Sequence, residues 1–195
     1  MSIHHMIANS PIAAIITDPR RADNPIIECN EAFVTLTGYA RDEIVGRNCR
    51  FLTGPGTEPA LTAVLRDAVR EHRPALVEIL NYRKDGTPFR NAVMVAPIFD
   101  ADGAIEYYLG SQVEVEEAAT ADASRRTAAR ALIAQLSERQ RAVLIAMAAG
   151  QLNKQIAWQL GLTERTVKMH RAALFQSLGV TTSADAIRIA VEAGY

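Results

Sequence analysis

Along residues 75–115 apolar and polar positions alternate, or run in short apolar blocks, between turn signals that contain Asp-Gly. Two-residue periodicity of this kind predicts strands. Residues 76–82 and 89–98 flank Asp85-Gly86, and residues 99–104 separate the second of these from 107–115, so the segment reads as an antiparallel meander. Upstream, Ala13–Thr17 and Ile26–Cys29 predict two short strands around an Asp-Pro and Asn-Pro turn region, and Glu31–Thr37 has helical spacing. Thr57 is placed to cap a helix through Leu61, Leu65 and Val69, with Pro59 tolerated in its first turn. The expected product is a five-stranded antiparallel sheet with helices on one side.

Beyond the meander the pattern changes twice. Residues 116–134 are rich in Ala, Thr and charge without Gly or Pro, and predict a helical connector whose Arg125, Arg126 and Arg130 form a solvated face. The last sixty residues hold four helix-length segments with matched start and stop signals. Ser137 opens a capping box with Gln140 and Gly150 closes that segment; Asn153 and Gly161, Thr163 and Gly179, and Ser183 and Gly194 bracket the others. Only Gly161 and Leu162 join the second segment to the third, the tight connection of a helix-turn-helix. The fold class is therefore α+β: a sheet-and-helix domain over 1–117, a connector over 118–134 and an all-α four-helix domain over 135–195.

A chain of 195 residues accommodates two such small domains. No apolar run approaches the roughly 18 residues of a membrane span, and residues 1–10 lack the basic-then-apolar order of a secretory leader, so no membrane association and a cytoplasmic location are expected. Cys29 and Cys49 lie in no CxxC or histidine-containing pattern, which predicts free thiols and no metal. The net charge of −1 conceals an asymmetry: residues 136–195 carry seven basic and four acidic side chains, and the remainder is acidic. That modest split suits a sensor attached to a reader of nucleic acid.

Candidate chemistry concentrates in the first domain. Gly46-Arg47-Asn48-Cys49-Arg50-Phe51-Leu52 sets a thiol between a carboxamide and a guanidinium, able to act as a soft nucleophile beside groups that hold a polar anion. By itself the segment reads first as an inert, half-buried cysteine followed by a surface arginine. Asn81 and Asn91 add to it. A three-residue loop, Lys84-Asp85-Gly86 with Gly86 left-handed, pairs Asn81 with Phe89 and puts both asparagines on one face with Ile79, Val93 and Val95. Gln112 on the last strand is a third carboxamide, and a flat heterocycle with donors and acceptors on one edge suits such a face.

These stretches, with Asn81-Tyr82, Phe89-Arg90-Asn91 and Gly110-Ser111-Gln112, closely resemble the LOV subfamily of PAS domains over residues 8–116. The resemblance implies bound FMN, with Cys49 as the thiol that forms a light-driven bond to the flavin. It implies Arg50 and Arg66 at the phosphate, Asn48, Asn81 and Asn91 at the polar edge of the ring, Gln112 at its reactive side, and Leu52, Val93 and Val95 in the lining. Thr53 departs from the glutamine common there. Cys29 matches no reactive position.

Residues 136–195 resemble the LuxR-type helix-turn-helix family in Leu136-Ser137-Glu138-Arg139, in Asn153 to Ala157, in Thr163 to His170 and in Leu178-Gly179-Val180. Val167, Leu174 and Leu178 form a core stripe that leaves Arg165, Thr166, Lys168, Met169 and Arg171 outward, toward double-stranded DNA, with Lys154 on phosphate. His170 reads equally as semi-buried or as a DNA ligand. Family resemblance makes Ser183–Ala193 a dimerisation helix, and closing the small core is an equal role for it. The sheet face opposite the cofactor would expose Leu80, Tyr82, Ala92, Met94, Tyr107, Leu109 and Val113, too much apolar surface for water, and the helix-turn-helix is expected to cover it in darkness. A flavoenzyme and a light-insensitive ligand or redox sensor are the rival classes; no ATP-binding segment of a sensor kinase is recognisable.

Overall fold

The computed structural model describes residues 4–115 and 119–195. Five strands, β1 (Ala13–Thr17), β2 (Ile26–Cys29), β3 (Ala75–Tyr82), β4 (Pro88–Phe99) and β5 (Ile105–Glu114), form one antiparallel sheet in the order β2-β1-β5-β4-β3. The β3–β4 register pairs Asn81 with Phe89 and Ile79 with Asn91, and Gly86 has φ +85°, so the three-residue turn forms as the sequence predicts.

Across one face lie the short helices α2 (Glu31–Thr37) and α3 (Arg41–Ile44), the 3-10 turn Cys49–Leu52 and helix α4 (Pro59–Arg70). Asn30 organises this side. Its Oδ1 accepts from Phe33 N and Ala14 N, both at 3.0 Å, capping α2, while its Nδ2 donates to the carbonyls of Ile7, Ser10 and Ile12. The start of α4 differs from expectation. Its N-cap position is Glu58, and Thr57 instead donates through Oγ1 to Leu80 O at 2.7 Å, while Glu58 Oε2 accepts from Leu80 N at 2.9 Å. Two side chains thus satisfy the outer edge of β3, where an open strand would invite further pairing.

The C-terminal helices are α6 (Glu138–Ala148), α7 (Asn153–Leu160), α8 (Glu164–Leu178) and α9 (Ser183–Ala193), preceded by the connector helix α5 (Ala119–Ala134) and, at the other end of the chain, by the short helix α1 (His4–Ile7). The caps at Ser137 and Thr163 form as expected. Two caps shift by one residue. Leu152 precedes α7, its N–H accepted by Gln155 Oε1 at 2.7 Å, and Thr182 caps α9 by accepting from Asp185 N. The expected boundary at 117/118 lies among residues 116–118, outside those described.

The sheet has helices on both sides. Ala14, Ile16, Met94, Ala96, Ile98 and Leu109, from the face opposite α4, share one core with residues of α5 to α9. Helix α9 lies against β3, β4 and β5 and is buried nearly all round, so it closes the four-helix core and also seals the sheet. Of the face expected to be covered this way, Leu80 and Tyr82 are exceptions: they pack on the loop at Gly54 and Gly56, where the Tyr82 hydroxyl accepts from Gly56 N at 2.9 Å. The connector's arginines are solvated at Arg126 and Arg130, which are exposed, and half-buried at Arg125. Arg125 ion-pairs with Glu78 of β3, and Arg130 Nε donates to Ala193 O at 3.0 Å, so α5 is tied to both domains.

Candidate functional site

Between the sheet and α4 lies a cavity of about 450 Å³, within the range of small-molecule sites. Its walls come from alternate positions of the strands: Ile79 and Asn81 of β3, Val93 and Val95 of β4, Tyr108, Gly110 and Gln112 of β5, with Cys49 above them and Leu65, Arg66 and Val69 of α4 alongside. Period-two alternation delivers these side chains to one face.

The polar end is a chain of carboxamides. Asn91 Nδ2 donates to Asn81 Oδ1 and to Gln112 Oε1, each at 2.9 Å, and Gln112 Nε2 donates to Cys49 Sγ at 3.3 Å. Asn91 is fully buried behind the lining, and its Oδ1 has no hydrogen-bond partner. A buried, unpartnered acceptor costs free energy unless a ligand donor meets it. Burial pushes the Cys49 thiol up to about 11, only partly offset by the Gln112 amide, so near neutral pH it is a protonated thiol and not a thiolate. At the mouth stand Arg50, Arg66 and Arg21, the first paired with Asp23. Amides at one end, apolar walls and guanidiniums at the rim fit a flat heterocycle carrying an anionic tail.

Three of the expected site residues sit differently. Asn48 borders the cavity with its polar atoms engaged elsewhere: Oδ1 caps the 3-10 turn through Arg50 N, and Nδ2 donates to Asp23 O at 2.6 Å. Leu52 lies outside the lining, in a separate cluster with Ile26, Cys29, Phe33 and Ile44. Arg171 does not point outward. Its Nη1 and Nη2 donate to Asn153 Oδ1 and Ser183 Oγ, both at 2.7 Å, joining α7, α8 and α9, because Asn153 and Ser183 open their helices facing it. Tyr108 is a cavity residue the pattern did not single out, although its place two and four residues before Gly110 and Gln112 on β5 gave the signal.

On the second domain, Arg165, Lys168 and Met169 are exposed on α8 and Lys154 on α7, while Thr166 exchanges a hydrogen bond with Thr163. His170 is half-buried. The single tryptophan, Trp158, is 87% exposed on α7, a feature without any warning in the sequence. Arg188 of α9 is the reverse case, a buried charge at the junction of the domains. It donates to Ser111 Oγ at 3.1 Å and to Ala92 O at 3.3 Å, and pairs with Glu192 at 2.7 Å. Ser111 and Ala92 are the immediate neighbours of Gln112 and Asn91, on the other face of the sheet. Among the described residues no cluster of His, Cys, Asp and Glu is arranged for a metal ion, and no helix is long and apolar enough to cross a membrane.

Residues 12–117 match the model of the PAS domain, and residues 134–190 that of the bacterial regulatory proteins of the luxR family. The chain is 49% identical over 122 residues to blue-light-activated histidine kinase 1 of Erythrobacter litoralis, covering 60% of this chain and 34% of that one. It therefore spans about a third of the length of that relative. The light-state structure of the Aureochrome1 LOV photoreceptor superposes with a TM-score of 0.53 at 46% identity, over 54% of this chain and 82% of that one. The light-state dimer of the fungal photoreceptor Vivid does so with a TM-score of 0.53 at 31% identity, over 55% and 80%.

Proposed function

The chain belongs to the PAS-domain family, as a LOV-type blue-light photosensor joined to a luxR-type DNA-binding segment, and from that premise we propose a light-activated transcription regulator that holds FMN over 1–117 and binds DNA through 135–195. It is a regulator and not a catalyst of turnover, acting in the cytoplasm on double-stranded DNA. Kinase activity is not carried over from the kinase relative, because the match covers only 34% of that protein, and residues 134–190 here match the luxR family instead.

In this reading FMN supplies, when excited by blue light, an electrophilic carbon and a neighbouring nitrogen that takes up a proton. Cys49 would supply the thiol and its proton for that chemistry. Asn81, Asn91 and Gln112 hold the polar edge of the ring, Val93 and Val95 its apolar side, and Arg50, released from Asp23, joins Arg66 at the phosphate. Gln112 begins with its oxygen toward Asn91 and its nitrogen toward Cys49. A carboxamide can present either its oxygen or its nitrogen, so Gln112 would turn its oxygen toward a ring nitrogen that changed from acceptor to donor.

The observation that carries the proposal is the back-to-back placement of this amide and Arg188. Gln112 faces the cavity, and Ser111 on the reverse of the same strand accepts from the arginine of α9. A shift of β5 against β4 is felt directly by the dock. Light then frees α9, Ser183–Ala193 becomes the dimer surface, and two readers bind adjacent half-sites through Arg165, Thr166, Lys168, Met169 and Lys154. One hydrogen bond is worth about 1 kcal/mol and a shift from 1:99 to 99:1 needs about 5.5 kcal/mol, so dimerisation and DNA binding supply the remainder.

The test is the absorption spectrum of the purified protein in darkness and after blue light, beside Cys49→Ala. Reversible loss of the flavin bands in wild type only is the expected result. A protein that takes up no flavin, or one whose flavin ignores light, overturns the reading in favour of a ligand or redox sensor. Hydrogen exchange of β4, β5 and α9 that is identical in dark and light removes the docking step.

A further inference from the structure

The sheet ends at β3, which pairs with β4 on one side only, so its other edge carries backbone donors and acceptors that the sheet does not use. Leu80 fixes which of them face outward: its N–H and its carbonyl both bond away from β4, to Glu58 Oε2 and Thr57 Oγ1. The alternation of an antiparallel ladder then turns the backbone groups of Glu78 and Leu76 outward as well. Arg90 Nη2 donates to Glu78 O at 3.2 Å. Leu76 N, Leu76 O and Glu78 N have no partner among the described residues. Side chains thus close the edge toward the end of β3, and its start is open.

The open part forms one wall of a second cavity, of about 430 Å³, in which residues 73–78 run beside Arg126 of α5 and the end of α9 at Val191, Glu192 and Gly194. A cavity walled by consecutive residues of an edge strand has the shape of a groove for another strand. Its carboxylates are already engaged, Glu78 with Arg125 and Glu192 with Arg188, the latter at 2.7 Å. Arg73 is shared with Glu71 at 2.6 Å, whereas Arg126 is exposed and has no ion-pair partner among the described residues. A Cβ at Gly194 would lie 3.9 Å from Arg126 Nη2 and 3.7 Å from Arg130 Nη2, so two guanidiniums converge on that end of the groove. The groove therefore offers strand hydrogen bonds along one wall, apolar contact at Val191 and positive charge at its rim.

From this combination we infer that the groove takes a short, extended peptide with acidic side chains, added to β3 as a further strand of the sheet. Leu76 donates to the guest backbone and accepts from it, Glu78 N–H donates to it, and a guest carboxylate meets Arg126. A small anion would use the arginines and leave the strand groups unmet. The guest touches the sensor through β3 and the reader through α9, with α5 between them, so it binds the docked form and holds it there. By reciprocity, the light-driven undocking proposed above weakens the peptide as much as the peptide opposes undocking. That regulatory consequence rests on the earlier proposal; the peptide site rests on the groove alone.

The test uses the full chain in darkness as bait for a displayed library of random linear peptides, followed by residue-resolved hydrogen exchange with one selected synthetic peptide. Acidic sequences should be enriched. The peptide should slow exchange several-fold at the outward amides of Leu76 and Glu78 and change little at Val77, which already bonds β4. Arg126→Glu should weaken binding about tenfold, in a chain whose circular dichroism is unaltered. Illumination of the flavin-loaded chain should weaken binding in the same direction. A library that yields no acidic sequence, or a selected peptide that leaves the Leu76 and Glu78 amides unprotected, overturns the inference. Protection that appears without peptide as the protein concentration rises identifies a second copy as the occupant and overturns it equally. Protection with the same affinity in dark and light retains the peptide site and overturns its coupling to light.

Discussion

Cys49 shows how a single side chain is tuned by its surroundings. The thiol is raised from 9.0 to about 11 by burial, so above pH 9 the unfolded chain releases this proton before the folded one does. The sign follows from linkage: the contribution to stability is present in full below about 9 and is lost as pH rises through about 11. The stability difference between the flavin-free protein and its Cys49→Ala variant, followed by urea titration across that window, should shift against wild type as the pH increases. Asn91 makes a second case. Truncation to alanine removes two buried amide hydrogen bonds, an expected loss of about 2 kcal/mol in urea titrations. Stabilisation by added FMN should also be smaller in Asn91→Ala, since the orphaned Oδ1 is then absent. Asn81, Asn91 and Gln112 were legible in advance because strand alternation and one glycine turn fix their common face. Asn48, Leu52 and Arg171 were not, because a motif gives the identity of a side chain and not the partner that reaches it first.

Helix caps and strand edges carry the next level. Thr163 caps α8, the helix expected to enter the major groove, by accepting from Thr166 N at 3.1 Å. Thr163→Ala should cost about 1 kcal/mol, and Thr163→Ser much less, measured by chemical denaturation. The strongly periodic segments were readable to within a residue or two. The start of α4 was misplaced because Thr57 and Glu58 serve the open edge of β3 in preference to the helix, a use visible only once the edge is known. Strand β1 is buried at all five positions, Ala13–Thr17, as a strand covered on both faces is. Gly150, after α6, has φ +80°, and a Cβ there would collide with the carbonyl of Pro97 where the reader meets β4. Gly150→Ala should therefore loosen the contact between the domains, seen as faster hydrogen exchange at Ile98 to Asp100 and α6 in darkness.

For the molecule as a whole, stability and regulation share one interface. Ser10 Oγ donates to Asp185 Oδ1 at 2.5 Å, Gln155 Nε2 to Asp100 O at 3.1 Å, and Arg188 reaches the sheet through Ala92 and Ser111. Removing one partner of a buried ionic network leaves the other uncompensated. For Arg188→Ala this predicts a dock weaker by about 3 kcal/mol, on the order of a hundredfold in the closed–open equilibrium. DNA affinity in darkness should rise toward the lit value, measured by fluorescence anisotropy of a labelled duplex, with a larger radius in solution scattering. Dark affinity that stays at the wild-type level would mean that the interface does not restrain the reader.

What the sequence determined by itself is what local periodicity and short-range chemistry encode: five strands, the helices that flank them, the helix-turn-helix spacing, and the common face of Asn81 and Asn91 across one hairpin. These depend on neighbours within a turn or a hairpin. Only the tertiary structure decided that Arg125 bonds β3, that Arg171 ties three helices together, that Tyr108 meets His72, and that Arg188 stands behind Gln112. Each joins residues distant in the chain, 96 positions apart for Arg188 and Ala92. No pattern along the chain specifies such a pair, because its partners are brought together by the burial of two apolar faces and not by their own attraction.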